Sequence, residues 1–176
     1  MSDQEQNSRG GSAFSVLAFG VILLMLAVVL QVVCSFFDVN PLVSFAEPWP
    51  VLGRAITLNS LLDLQWHLLV IVGLLPAGLV WLRGGHVRVD FLYEGRSDRW
   101  RARVDLVGNL LFAAPFLVLI LPASWDFAMR ARASGEGSRN GGLEDLWLIK
   151  AVLPLGLALL ALALIIETIG LLRRAR

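Results

Sequence analysis

The chain has 176 residues, of which 57% are hydrophobic and only 16% charged, and its mean hydropathy is +0.72. That composition excludes a soluble globular domain, and no nucleic-acid partner is expected. The net charge of +1 says little by itself, so the placement of the fifteen basic residues carries the information. Residues 1–12 are a polar tail containing Gly10-Gly11, expected to be disordered. Ala13–Phe37 is the first apolar run, and it meets the roughly 20 residues that a membrane-spanning helix needs. It is too long for a secretory signal, and no small-x-small cleavage site follows it. Cys34 is the only cysteine; it excludes an internal disulfide and reads as a buried helix residue.

The connection Asp38–Asn59 contains Pro41, Pro48 and Pro50 and cannot be one continuous helix. Its latter part, Val51–Leu58, mixes Val51, Leu52, Ile56 and Leu58 with Arg54 and reads as a short interfacial helix on the outer membrane surface. The second apolar run is Leu61–Leu82. It opens on Ser60-Leu61-Leu62-Asp63, a capping-box pattern with Ser60 as the cap and Asp63 at the third helical position. Asp63 and His67 lie one turn apart. A proton- or metal-binding pair is one reading, but one carboxylate with one histidine is an incomplete ligand set. Capping and inter-helix hydrogen bonds account for both, and Trp66 between them suits an interfacial aromatic belt. Gly73 and Ala77 form a small-xxx-small pair that serves either internal packing or a partner helix. Pro76 between them is predicted to kink the span.

After this run comes R-G-G-H-V-R-V-D, Arg83–Asp90. Gly84 and Gly85 allow a sharp turn. Beyond them Val87, Val89 and Phe91 alternate with His86, Arg88 and Asp90, as in a half-buried interfacial segment. Arg88 and Asp90 would anchor the chain to a partner at the cytoplasmic face, with lipid headgroup binding as the alternative. Ser97-Asp98 starts a helix that runs through Trp100 into the third apolar run, Val104–Ala128, and Arg101 and Asp105 are spaced to pair. The core of the third connection, Ser134–Gly142, has four glycines and reads as a flexible turn. In the fourth run, Leu146–Leu172, Lys150 and Glu167 stand about 25 Å apart on a helix and are placed to snorkel to opposite interfaces. Gly156, Ala163 and Gly170 make a small-residue stripe, and residues 173–176 are a basic end.

The expected fold is therefore all-α, a four-span membrane domain over residues 13–172. Of the fifteen basic residues, one lies in the tail, six in the second connection and three at the C-terminus, leaving five for the other side. Both termini should be cytoplasmic. No ionisable group falls near mid-span, where a transporter carries its site, and Asn109 is the main polar exception there. No catalytic set, metal site or cofactor is expected. The chain reads as a partner to a transport machine. A self-contained homo-oligomeric transporter would need a mid-span carboxylate, and a haem-bearing anchor of a respiratory enzyme would need more histidines than His67 and His86.

Four short stretches occur in order: L-Q-W-H-L-L (Leu64–Leu69), R-G-G-H-V-R-V-D (Arg83–Asp90), E-G-S (Glu136–Ser138) and W-L-I-K-A-V-L-P-L-G (Trp147–Gly156). With them the chain, from about Leu61 to Glu167, resembles the small membrane subunit of tripartite ATP-independent periplasmic (TRAP) transporters. The resemblance implies a bacterial inner-membrane complex in which a periplasmic receptor captures an organic acid. A large membrane subunit then moves it by a sodium-driven elevator mechanism, and the small subunit enlarges the fixed scaffold. The matched positions make Trp66, His67, Gly85, His86, Arg88, Asp90, Glu136, Lys150, Pro154 and Gly156 candidate structural or interface residues. Asp63, Gly73, Pro76, Ala77 and Ala163 join them from the reading of the spans. The large subunit, the receptor and membrane lipids are the expected partners.

Overall fold

The structure, a computed structural model, describes residues 3–85, 93 and 95–175. In chain order its elements are α1 (Asp3–Phe36), β1 (Val43–Trp49), β2 (Gly53–Ile56), α2 (Leu58–Leu74), α3 (Ala77–Leu82), α4 (Asp98–Gly108), a π-helical turn (Asn109–Ala113), α5 (Ala114–Ser134) and α6 (Trp147–Ala175). Four helical stretches are long and apolar enough to cross a membrane: Ser15–Phe36, Leu58–Leu82, Asp98–Ser134 and Trp147–Arg174. The chain is an all-α membrane protein with one small hairpin.

Its surface agrees with that reading. Phe112, Val118 and Leu119 are each at least 70% exposed, a surface that water would penalise and lipid or a partner helix would not. Helices satisfy their own backbone groups, which is what lets these segments sit in hydrocarbon.

Each span departs from a plain rod for a local reason. The second is broken where expected: α2 ends at Leu74, and Pro76 precedes the first residue of α3. Proline lacks the N–H that would continue the ladder. α3 stops in a Schellman turn, with Gly84 N–H donating to Trp81 O at 2.9 Å and Gly85 N–H to Val80 O at 3.0 Å. Gly84 sits at φ +64°, a conformation that favours glycine. The third span begins earlier and ends later than its apolar run. Ser97 caps α4, its Oγ accepting from Trp100 N–H at 3.4 Å. Pro115 follows the π-helical turn; its ring cannot sit over the carbonyl four residues back, so the helix widens across Asn109–Ala113.

The first connection corrects the sequence reading. In place of a short interfacial helix over Val51–Leu58, β1 and β2 pair antiparallel, with Val43 opposite Ile56, Ser44 opposite Ala55 and Trp49 opposite Gly53. Pro48 and Pro50 have no N–H to donate and are tolerated because a two-stranded ribbon is all edge.

The chain divides into two compact units. One comprises Met1–Gly73 and Ala131–Ile149. Here α1 lies close against α2: a Cβ added at Gly20 would come within 2.7 Å of Val72 Cγ2. Gln65 Nε2 donates to Gln31 Oε1 at 3.0 Å and to Ala27 O at 3.3 Å. Two amides facing each other across apolar helices hold register, because neither finds another partner in lipid. The other unit comprises Leu74–Arg130 and Lys150–Arg176. Its core is Leu117, Leu157 and Leu164, with Trp81, Ile120 and Leu153 against them. Gly78 brings α3 onto α6; a Cβ there would stand 2.6 Å from Leu159 O and 3.3 Å from Ala163 Cβ.

Candidate functional site

The most heavily cross-linked part of the first unit is the start of α2, where the hairpin meets the connection between α5 and α6. Thr57 and Ser60 cap the helix reciprocally: Ser60 N–H donates to Thr57 Oγ1 at 3.2 Å and Thr57 N–H to Ser60 Oγ at 3.1 Å. The cap is therefore Thr57, three residues before the expected Ser60, which stands at the third helical position and is buried. Asp63, released from capping, accepts from Leu143 N–H at 3.0 Å. The Thr57 hydroxyl donates to Gly141 O at 2.8 Å, and Asn59 Nδ2 donates to Asn140 O at 2.5 Å. On the other side of this connection, Glu144 N–H donates to Val51 O at 2.7 Å and Val51 N–H to Asp145 Oδ2 at 3.3 Å. These bonds hold the hairpin turn at Val51, whose φ of +68° is strained for a β-branched residue.

The glycine-rich connection is thus a clasp, not the flexible turn that its composition suggests. Its glycines make room for carboxylates. A Cβ at Gly142 would overlap Asp63 Oδ2, and one at Gly137 would overlap Glu144 Oε2. The backbone closes on itself through Leu146 N–H to Glu136 O and Ser138 N–H to Leu143 O, both 2.9 Å. Hairpin and clasp together line an open cavity of about 460 Å³ that includes Pro48, Arg54, Thr57 and Glu144.

In the second unit the polar residues of three helices converge. The carboxylate of Glu167 in α6 accepts from Trp81 Nε1–H in α3 and from Asn109 Nδ2 at 3.4 Å, and Asn109 also reaches Thr168 Oγ1 at 3.4 Å. Asn109 is 6% exposed and opens the π-helical turn. Glu167 is therefore held between helices by a neighbouring indole and a buried amide. Glu167→Ala should lower thermal stability in detergent by about 1–3 kcal/mol, because Asn109 loses its charged acceptor, whereas Glu167→Gln should retain most of it. Melting of Glu167→Ala at the wild-type temperature would show that the network contributes nothing.

The remaining sequence candidates divide by surroundings. Asp63 and His67 do not form a ligand pair: the His67 ring meets the Asp63 carbonyl while the Asp63 carboxylate faces Leu143. Trp66 is 64% exposed. Gly73 has nothing within 4 Å of where a Cβ would stand, and Ala77 opens α3. Pro154, Gly156 and Ala163 are buried on α6, and a Cβ at Gly156 would stand 3.1 Å from Leu74. Gly170, the third member of that stripe, faces open space. A Cβ at Gly85 would stand 3.0 Å from Val80 Cγ1. The Lys150 ammonium lies 4.5 Å from the centre of the Phe127 ring, a cation–π contact. His86, Arg88 and Asp90, and the alternating segment they belong to, lie outside the described residues. Among the described residues no ion pair joins Arg101 to Asp105, although their spacing permits one; Asp105 instead accepts from the Tyr93 hydroxyl at 2.9 Å. Sequence reasoning missed Thr57, Gln31, Gln65, Gly78, Glu144 and Asp145. Only the two glutamines carried a visible signal, as amides inside apolar runs.

Comparison with protein families bears on the whole of this arrangement. The family model for the DctQ component of tripartite ATP-independent periplasmic transporters matches residues 49–174. The chain belongs to this family. The DctQ component is the small membrane subunit of TRAP transporters and is not an enzyme family. The match begins in β1 and ends in α6, so it takes in the clasp, the Glu167 network and the last three spans. α1 lies outside it. Among curated proteins no sequence matches the chain.

Proposed function

We propose that this DctQ component is the scaffold of a bacterial inner-membrane TRAP transporter. It holds a large permease subunit that takes up an organic acid by sodium-driven transport after a periplasmic receptor delivers it. The observation that carries this reading is the state of the polar residues within the spans. Gln31 with Gln65, and Trp81 with Glu167 and Asn109, are engaged with one another across helices. A solute pathway instead exposes its polar groups to the substrate or to unwound backbone near mid-span. In proteoliposomes the chain alone should give no sodium-dependent uptake, and the three-part complex should. Uptake by this chain alone would overturn the scaffold assignment.

The orientation is part of the proposal. With ten of fifteen basic residues on the side of the termini, both ends are cytoplasmic and the clasp faces the periplasm. In a Cys34→Ala background, an impermeant thiol reagent should label Ser138→Cys and spare Ser97→Cys in intact cells. The opposite pattern would invert every side assignment. In the segment outside the described residues, Arg88→Ala should lower recovery of the complex if Arg88 anchors the large subunit. Unchanged assembly and uptake would leave Arg88 a headgroup contact only.

A further inference from the structure

In the second unit, the first turns of α4 and the last turn of α6 line an open cavity of about 590 Å³ with Asp98, Arg101, Ala102, Asp105, Leu171 and Arg174. Two guanidiniums and two carboxylates meet there. They are not joined in direct pairs, since among the described residues neither Arg101 nor Arg174 forms an ion pair. Arg101 Nε is enclosed and without a hydrogen-bond partner. Nε is therefore closed to a ligand, and what Arg101 can offer one is the rest of its guanidinium, since the residue as a whole is only half-buried. One Asp105 oxygen is taken by Tyr93, which leaves the other for a donor.

The position of the cavity along the helices narrows the ligand. α6 is apolar up to Leu172 and then turns basic at Arg173-Arg174, while α4 is polar through Arg103 and turns apolar from Leu106. The cavity therefore lies where hydrocarbon gives way to headgroups, with buried Leu171 in its wall. Two guanidiniums at that depth match a phosphate. Two carboxylates beside them match a cation and repel a net anion, which disfavours phosphatidylglycerol or cardiolipin. Among the described residues its lining holds no aromatic ring, so these offer no cage for a quaternary ammonium such as choline. A primary ammonium, with three N–H donors, fits the carboxylates.

We propose that this cavity binds the headgroup of phosphatidylethanolamine, with the phosphate on Arg101 and Arg174 and the ammonium on Asp98 and Asp105. The proposal rests on the membrane placement of α4 and α6 and is independent of any transport activity.

The test is native mass spectrometry of the purified complex after delipidation, titrated with phosphatidylethanolamine, phosphatidylcholine or phosphatidylglycerol. One tightly retained phosphatidylethanolamine per small subunit is expected, at least tenfold tighter than the other two lipids. Arg174→Gln, at an exposed position that should tolerate it, and Arg101→Gln should each abolish that preference for phosphatidylethanolamine over bulk lipid. Asp105→Asn keeps an acceptor for Tyr93 but should narrow the discrimination against phosphatidylglycerol. Equal retention of all three lipids, or retention unchanged in Arg174→Gln, would overturn the assignment. So would soluble phosphoethanolamine binding as tightly as the lipid, since the site would then serve a soluble ligand. Uptake can survive or fail in these variants without bearing on the result, so the lipid site and the scaffold reading are separable.

Discussion

Gly78→Leu should abolish recovery of a folded subunit, whereas Gly73→Leu should leave the subunit folded. The two glycines lie five residues apart in the second span, on either side of the Pro76 break. At Gly78 an added Cβ stands 2.6 Å from a backbone oxygen, Leu159 O, and 3.0 Å from its carbon. A backbone cannot swing aside as a side chain can, so the cost lies at the upper end of overpacking, about 3 kcal/mol or more. At Gly73 nothing stands within 4 Å, and leucine has the better helix propensity by roughly 0.8 kcal/mol. If Gly73 faces the large subunit, Gly73→Leu should instead lower copurification of that subunit, because close approach in lipid depends on packing of small residues. Ala163→Leu serves as the control on the internal face. Ala163 is 2% exposed and lies against Gly78, so its variant should unfold with Gly78→Leu. Should Ala163→Leu insert normally and release the large subunit while Gly73→Leu does neither, the two faces are reversed.

The spans were legible because their signal is local: a run of some twenty apolar residues is a helix in a bilayer whatever surrounds it. Pro76 and Gly84-Gly85 were legible for the same reason, since each acts on its own backbone. Most of the failures involve partners far away in the chain. Thr57-Leu58-Asn59-Ser60 and Ser60-Leu61-Leu62-Asp63 are overlapping capping boxes, and what decides between them is Leu143, eighty residues on, whose N–H claims Asp63. Val51–Leu58 has no strand signature of its own; it turns back because Glu144 and Asp145 fix the strained Val51. Glycine density suggested mobility in the last connection, yet Gly142 is there to admit the carboxylate of Asp63 from α2, and Gly137 that of Glu144 from the connection itself. Gly78 is not marked by the Gly73/Ala77 spacing, because spacing cannot show which face a helix buries, and that face is set by Leu159 and Ala163 on α6. The lipid cavity was hidden too, since Arg101 and Asp105 look like a pair one turn apart.

Opening the clasp should expose it to protease by about ten- to a hundredfold. Asp63→Ala removes a charged acceptor from Leu143 N–H, a bond of the kind that contributes about 1.5–3 kcal/mol. When opening is fast relative to cleavage, the cleavage rate follows the open population, so that free energy appears directly as a rate factor. Arg139, exposed at the tip of the clasp, is the natural reporter, because trypsin cuts after it. Gly142→Ala should open the clasp from the other side by driving a methyl group into the Asp63 carboxylate. Asp63→Asn retains an oxygen that can accept from Leu143 and should be cleaved at a rate between wild type and Asp63→Ala. Equal trypsin rates in all four proteins would mean that Asp63 does not hold the clasp. If the receptor docks on the hairpin and clasp, Asp63→Ala should also raise the receptor concentration needed for half-maximal uptake while the large subunit still copurifies.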